Sequence, residues 1–424
     1  MSSNVSGVTQ AASSGREPAY IGFIIAWLFC VVFYFAQYAL RSAPGVMMPE
    51  LTKAFALDMA SMSTLIGLYY YTYSIFAIVF GAALDRLGAK YVVPAGILLV
   101  AVGAAMFCMG GVGGAQFGRL LQGAGSAAAF TGAVYLATHG FPPRYLATAV
   151  GFTQCFGMLG GSAGQFAVAP MIHSIITWEQ FWWLSGLGLF VVAVLVCLAT
   201  PSGHDAGSAS QGSWTKMFAP YKVVLTNPQS YLCGFCAGLL FLPTTIGDMI
   251  WGVPFLRDGL GVQYAEAVNR TSMVPLGWVI GCPLLGYISD HIGRRKPVLI
   301  AGALLMLVSG IGILYFPNSV PPYVCGLLLG IGSGAAMLPY SSIKEVNPDN
   351  VKGSATGAIN FLVFTFSAFV SSLFSKLIVR YEDGGKLTLE AFQQAAVWLL
   401  GAIVLGIVLG FFMRETGPRT IRQH

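Results

Sequence analysis

One face of the first apolar segment carries side chains able to hold an anion. Within YFAQYALRSAPGVMMPEL, residues 34–51, Tyr34, Gln37, Tyr38 and Arg41 recur at i, i+3, i+4 and i+7, so a helix sets all four on one side. A polar stripe on an otherwise apolar helix is expected to turn towards a water-filled interior rather than lipid. Arginine suits capture of a carboxylate or phosphate, because its planar guanidinium donates two parallel hydrogen bonds. Three more charges fall inside apolar segments: Arg119, Asp248 and Arg270. An ionised group there costs about 2.5–3.5 kcal/mol on insertion scales, so each is a candidate site residue. Each also has a plainer role. Glu266 precedes Arg270 by one helical turn, Asp248 could neutralise Arg270 across neighbouring segments, and Arg119 could be structural or tied to proton coupling. Tyr70, in the aromatic run GLYYYTYSIF, and Asn360 complete the expected substrate-binding set.

The elements that must position these residues follow from composition. Of 424 residues, 56% are hydrophobic and 9% charged, where a soluble domain has about 25% charged. The chain therefore reads as an all-α membrane protein with twelve transmembrane helices in two pseudo-symmetric six-helix bundles. The expected spans are 20–44, 61–83, 90–110, 114–139, 145–170, 179–199, 229–255, 265–288, 296–316, 321–343, 353–378 and 391–413. They divide the chain into a tail over 1–19, a bundle over 20–200, a linker over 201–228, a bundle over 229–413 and a tail over 414–424. The first tail is polar and Ser-rich, unlike a cleaved signal, so the first helix is expected to remain as an anchor.

Placing both termini in the cytoplasm puts fourteen Lys and Arg residues on that side and five, Lys53, Arg257, Lys376, Arg380 and Lys386, on the other. This is a positive-inside bias, so the formal charge of +6 reports topology and implies no nucleic-acid partner. Among eight cysteines, only Cys233 and Cys236 in CGFC are closely spaced, and they read as small hydrophobes in an apolar helix.

The chain also repeats itself. GAALDRLGAK, residues 81–90, returns as GYISDHIGRRK, residues 286–296, with Asp85 and Asp290 separated by 205 (290 − 85). LQGAGSA (121–127) returns as LLGIGSG (328–334), and ATAVG (147–151) as SATG (354–357). The Gly- and Ser-rich PSGHDAGSASQGSWTK, residues 201–216, lies between and reads as a flexible linker. Two parallel six-span repeats so joined form the architecture expected of a rocking transporter. In span five, Gly157, Gly160, Gly161 and Gly164 share one face and are expected to permit close helix packing.

The two charged turns, with GRLLQGAG (118–125), resemble the signature motifs of the major facilitator superfamily. The resemblance implies that Asp85 meets the start of span eleven, VKGSATG (351–357), when the cytoplasmic side is shut, and by pseudo-symmetry that Asp290 faces RYLATAVG (144–151). The expected gating set is Gly81, Asp85, Arg86, Gly88, Gly286, Asp290, Gly293 and Arg294. Gly81 and Gly286 would let helices approach, and a carboxylate at a helix N-terminus gains about 0.3–1 kcal/mol. His291 stands where the first copy has Arg86. Span one is similar to that of two anion-carrying branches, the organophosphate:phosphate antiporters and anion:cation symporters, with Arg41 eight residues before Pro49. The organophosphate branch has a second arginine in span seven, where LPTTIGDMIWGVPF (242–255) offers Thr244, Thr245 and Asp248. That departure favours a mono-anionic or zwitterionic substrate, whose amino group Asp248 could hold.

The resulting expectation is a secondary active transporter of a small polar organic anion or zwitterion, a carboxylate or an amino-acid-like or peptide-like metabolite, working by alternating access. A multidrug/proton antiporter and a non-transporting ligand sensor are the alternatives. The sequence carries no nucleotide-binding loop, metal cluster or enzyme constellation, so a proton gradient or a counter-substrate is the expected energy source and no cofactor is expected. A monomer in a bacterial inner membrane, with lipid as its other partner, completes the reading.

Overall fold

The computed structural model describes residues 16–141, 143–201, 218–348, 351–381 and 387–417, excepting the side chains at 16–19, 85, 86, 143–148, 352 and 353. Among the described residues, twelve helices are long and apolar enough to cross a membrane. In order they are Tyr20–Val46, Met59–Leu84, Ala89–Met109, Gly111–Gly140, Ala149–Ser174, Trp178–Ala199, Pro228–Asp248, Tyr264–Ile292, Lys296–Tyr315, Pro322–Glu345, Ser354–Arg380 and Leu389–Phe412, called spans one to twelve below. Helices dominate because hydrocarbon offers backbone N–H and C=O groups no partner, so each span satisfies its own. Side chains such as Leu28, Leu184, Leu187, Phe190, Val397 and Trp398 point outward, as a lipid-facing surface requires.

The repeats seen in the sequence reappear as repeated contacts. Span three meets span four where a Cβ on Gly125 would strike the carbonyl of Gly96, and span nine meets span ten where a Cβ on Gly332 would strike the carbonyl of Gly302. The offsets are 206 (302 − 96) and 207 (332 − 125), so GAGSA and GIGSG are the same helix crossing built twice. The charged turns also match: Gly88 and Gly293 end the helices of spans two and eight with φ of +73° and +72°, a region glycine enters without strain.

Several elements depart from the sequence reading. Span one continues through Pro44 to Val46, and a separate helix, Met48–Phe55, follows. Pro44 does not end it, so Arg41 sits in the helix body, 2% exposed. Span seven was expected to run unbroken over 229–255. Its α-helix instead stops at Leu242, before Pro243, and gives way to wider turns at Pro243–Asp248 and Phe255–Gly259. Span ten is tightened at Gly334–Met337, just before Pro339. In the linker region, residues 202–217 lie outside the described residues, but Ala219–Thr226 forms a helix. Its Tyr221 wedges between spans two and eleven, donating to the Ile78 carbonyl at 3.5 Å and abutting Gly81 and Gly357.

Candidate functional site

The first and last six spans meet along two seams. Spans two and eleven touch through Tyr71 and Ser372, whose hydroxyls are 3.2 Å apart, and through Tyr73 on Phe364, with ring centres 4.2 Å apart. Spans five and eight touch where the Ser162 hydroxyl donates to the Ser272 carbonyl at 2.9 Å. On the side of the membrane opposite the start of span one, the far side, Tyr264 donates to the Val46 carbonyl and stacks edge-on against His173. Towards the near side the second seam loosens: a Cβ on Gly151 or Gly286 would meet nothing within 4 Å.

Between the seams lies a small central cavity of about 20 Å³. Tyr34, Tyr38, Tyr73 and Phe130 wall it from the first six spans; Phe241, Tyr340 and Phe364 wall it from the last six. Two amides enter among the rings. Tyr34 donates to Gln154 Oε1 at 3.1 Å, and Tyr340 donates to Asn360 Oδ1 at 2.8 Å. Tyr34, Tyr38 and Asn360 border the cavity, whereas Gln37 and Arg41 sit one layer behind.

That second layer concentrates positive charge. The Arg41 guanidinium carbon lies 4.6 Å from the Tyr38 ring centre, 4.8 Å from Phe364, 5.3 Å from Tyr69, 5.4 Å from Tyr70 and 5.5 Å from Tyr73. Tyr38, Tyr73 and Phe364 are shared between this cage and the cavity wall. A desolvated cation–π contact is worth up to about 2 kcal/mol, so the rings offset much of the cost of burying the cation. They do not satisfy its donors: Nε and Nη2 have no hydrogen-bond partner, and no carboxylate pairs with Arg41 among the described residues. Gln37 accepts from Tyr69 at 2.9 Å and leaves its own Nε2 unpartnered. Tyr70 donates to the Thr245 carbonyl at 3.3 Å, tying the cage to span seven.

Of the other three intramembrane charges, Arg119 meets this cage only from behind, its guanidinium carbon 4.9 Å from the Tyr69 ring centre, and Asp248 and Arg270 stand apart from it. Arg119 was expected to bind substrate, yet its nitrogens are committed: Nε and Nη2 donate to the Ile66 carbonyl at 3.3 and 3.2 Å, Nη1 to Gln122 Oε1 at 2.7 Å and to the Leu40 carbonyl at 3.4 Å. It clamps spans one, two and four. Arg119→Lys is expected to lower the melting temperature by stranding these acceptors, on the order of 1 kcal/mol each, with ligand affinity little changed; a thermal-shift assay reads the first and equilibrium binding the second. Arg270 pairs with Glu266 at 2.8 Å, and Glu266 also accepts from Tyr323 at 2.6 Å. Asp248 does not neutralise Arg270; its Oδ2 accepts from Gln165 Nε2 at 3.2 Å. Asp248 and Arg270 both line a different cavity, within the last six spans, so Asp248 is not placed to hold an amino group in the central one.

The gating set divides similarly. Asp85 and Arg86 have side chains outside the described residues, as does most of RYLATAVG. Asp290 was expected to face that segment; 62% exposed, it pairs with Arg295, which also donates to Glu345 at 2.8 Å. Arg294 reaches Glu415 at 3.6 Å. Gly286 was expected to admit a neighbouring helix; among the described residues a Cβ there would meet nothing within 4 Å, whereas Gly81 admits Tyr221. The glycines of span five pack on span one, at Tyr34, Phe35 and Ala39; Gly161 alone faces Met249 and Pro275 of the last six spans. Sequence reasoning missed Tyr73, Gln154, Tyr340 and Phe364. Tyr73 follows Tyr70 by three residues in the same aromatic run, and Gln154 is an amide inside an apolar span; Tyr340 and Phe364 carry no comparable local signal.

Comparison with known proteins agrees with this architecture. The chain is 26% identical over 423 residues to a gentisate transporter of Corynebacterium glutamicum, covering 95% of this chain and 90% of that protein. It is 24% identical over 392 residues to the membrane sensor protein UhpC of Escherichia coli, covering 85% and 86%. Among solved structures, a bacterial homologue of the human lysosomal transporter Spinster, inward-facing and unoccupied, superposes with a TM-score of 0.72 at 15% identity over 92% of this chain and 97% of that one. The nucleoside transporter NupG, as a point mutant, superposes with a TM-score of 0.71 at 14% identity over 92% and 99%. The family model described as Major Facilitator Superfamily matches residues 30–372, and this multi-pass membrane chain belongs to that superfamily.

Proposed function

We propose that the chain is a secondary transporter of a small organic carboxylate, with an aromatic acid as the substrate class, captured by Arg41 beside the central cavity. The observation that carries this reading is the pair of unpartnered Arg41 donors inside a cage of five rings. An anion that moved the shared rings aside would gain charge-assisted bonds from the guanidinium, while a flat ring on that anion would stack against Tyr38, Tyr73 or Phe364. The Gln154 and Asn360 amides add partners for hydroxyl groups. Similarity to a gentisate transporter supports the same class, since gentisate is a hydroxylated benzoate. The near side is read as the cytoplasm of a bacterial cell, with both termini there and the two six-span bundles rocking about the central site. This is transport without covalent chemistry, by a monomer.

A ligand sensor is the second reading, favoured by the similarity to the sensor UhpC. Counterflow separates the two. Proteoliposomes preloaded with unlabelled gentisate should take up labelled gentisate under a transporter; saturable gentisate binding without counterflow would establish the sensor instead.

The duplicated turn enters the same proposal as a cytoplasmic latch between Asp85 and the start of span eleven. Asp85→Asn should shift the resting population towards a cytoplasm-open form. Proteolysis or labelling from the cytoplasmic face that stays at the wild-type rate would count against the latch.

A further inference from the structure

The cavity inside the last six spans is far larger than the central one, about 140 Å³ against about 20 Å³. It lies between the broken part of span seven and spans eight to twelve, and reaches the far side at Pro317 and Val320 in the loop between spans nine and ten. Its wall is almost wholly apolar, with Trp251, Phe255 and Phe392 among the rings. Into it are set one carboxylate, Asp248, and one guanidinium, Arg270.

Asp248 is 7% exposed, and its only described hydrogen bond comes from Gln165, a span-five residue of the opposite half. Of the charged groups on surrounding elements, Lys376 and Arg380 of span eleven and Glu390 of span twelve are exposed, and the others are engaged elsewhere. Arg270 in span eight holds Glu266, Arg257 and Asp258 lie 3.5 Å apart after span seven, Arg41 of span one is caged by rings, and Glu50 faces His173. A buried carboxylate with a single neutral partner is costly when ionised and cheap when protonated. Ionised, it holds the Gln165 amide through a charge-assisted bond; protonated, it holds it roughly half as strongly. The state of Asp248 is therefore written into a contact between the halves. A metal cation is a poor occupant, because hard cations take several oxygen ligands. Besides Asp248, the side-chain oxygen lining this cavity is that of Thr271, which donates to the Val268 carbonyl.

We infer that Asp248 is the proton-coupling group, reached from the far side through this cavity and separate from the anion site at Arg41. The proton comes from far-side water, adds to a carboxylate oxygen, weakens the Gln165 contact and so frees span five from span seven. It leaves to near-side water once the halves have parted there, regenerating the carboxylate. The inference rests on the transporter reading above, and its test separates the two.

Infrared difference titration of purified protein in lipid nanodiscs needs no substrate. The wild type should show the carbonyl band of a buried carboxylic acid appearing as pH falls, absent from Asp248→Asn and retained in Asp258→Asn. In Val320→Trp, which narrows the mouth, proton–deuterium exchange of that band should slow. In proteoliposomes, the ratio of accumulation driven by an inward proton gradient to gentisate counterflow should fall roughly 5- to 150-fold in Asp248→Asn, the range of ordinary coupling energies. A titrating band that survives Asp248→Asn overturns the assignment, as does a wild-type ratio in that variant or unchanged exchange in Val320→Trp. A wild type with the titration but no counterflow instead overturns the transporter reading, and the infrared result still supports Asp248 as the proton site.

Discussion

Arg41→Ala protein, eluting as a monodisperse particle, should bind gentisate at least about 30-fold more weakly than the wild type, since losing one member of a buried charge pair costs about 2–5 kcal/mol. The reason lies in how this buried cation is compensated. Its cage rings stabilise the cation but leave Nε and Nη2 without acceptors among the described residues, and those two nitrogens form the edge that meets a carboxylate in a bidentate grip. Arg41→Lys keeps the charge, and the rings can still cage an ammonium, so the fold should hold; the fork is gone, so affinity should fall by an intermediate amount. Arg270→Ala is the internal comparison. Its guanidinium is engaged by Glu266 at 2.8 Å, away from the central cavity, and gentisate affinity should stay near that of the wild type. Isothermal titration of the three variants reads the order directly. Wild-type affinity in a well-folded Arg41→Ala protein would falsify the anion site and favour a drug-exporter reading, in which the apolar walls alone select the cargo.

Elements whose signal is local were legible in the sequence. Twelve apolar runs became twelve spans because a bilayer fixes their length and forbids unpaired backbone between them. The stripe from Tyr34 to Arg41 was readable because helical periodicity alone sets its face. Charge alone could not say which intramembrane residues share a cavity. Arg119 stood beside Arg41 among the substrate-binding candidates, with a structural role as its alternative; the carbonyls of Leu40 and Ile66 that absorb it come from two other helices. Asp248 was misplaced for a related reason. Span seven was drawn as one regular helix, and its widened turns at Pro243–Asp248 set the carboxylate beside a cavity within its own half. Phe364 was invisible because what distinguishes it is Tyr73 and Arg41 of the opposite half, and Tyr340 because its partner Asn360 lies on another span; no local pattern encodes either.

The repeated glycine motifs make the second large prediction. Gly125→Ala and Gly332→Ala should each lower thermal stability sharply, by about 1–3 kcal/mol or more of overpacking, whereas Gly188→Ala and Gly401→Ala, where a Cβ meets nothing within 4 Å, should stay within about 0.5 kcal/mol. The contrast comes from what the new methyl group would strike. At Gly125 it meets the fixed carbonyl of Gly96 first and more closely than anything at Gly332, then the Leu99 Cβ at 2.9 Å, which the backbone also fixes, and the Val100 methyl at 2.8 Å, which can partly turn away. At Gly332 it meets the Gly302 carbonyl and the Met306 nitrogen, both at 2.7 Å, and then the Met306 Cα at 3.1 Å, all backbone. Relief in either case requires the two paired spans to separate, so Gly332→Ala and Gly125→Ala should carry comparable costs, as their correspondence across the duplication implies. The neighbouring pairs strengthen the comparison, since a Cβ on Gly96 would meet Ala128 and one on Gly302 would meet Ala335, residues again 207 apart (335 − 128). Melting temperatures of the four variants in one detergent, each compared with the wild type, decide the matter. Equal, small shifts at all four positions would mean that these crossings yield more readily than their backbone contacts imply, and that the motif is repeated for some reason other than packing.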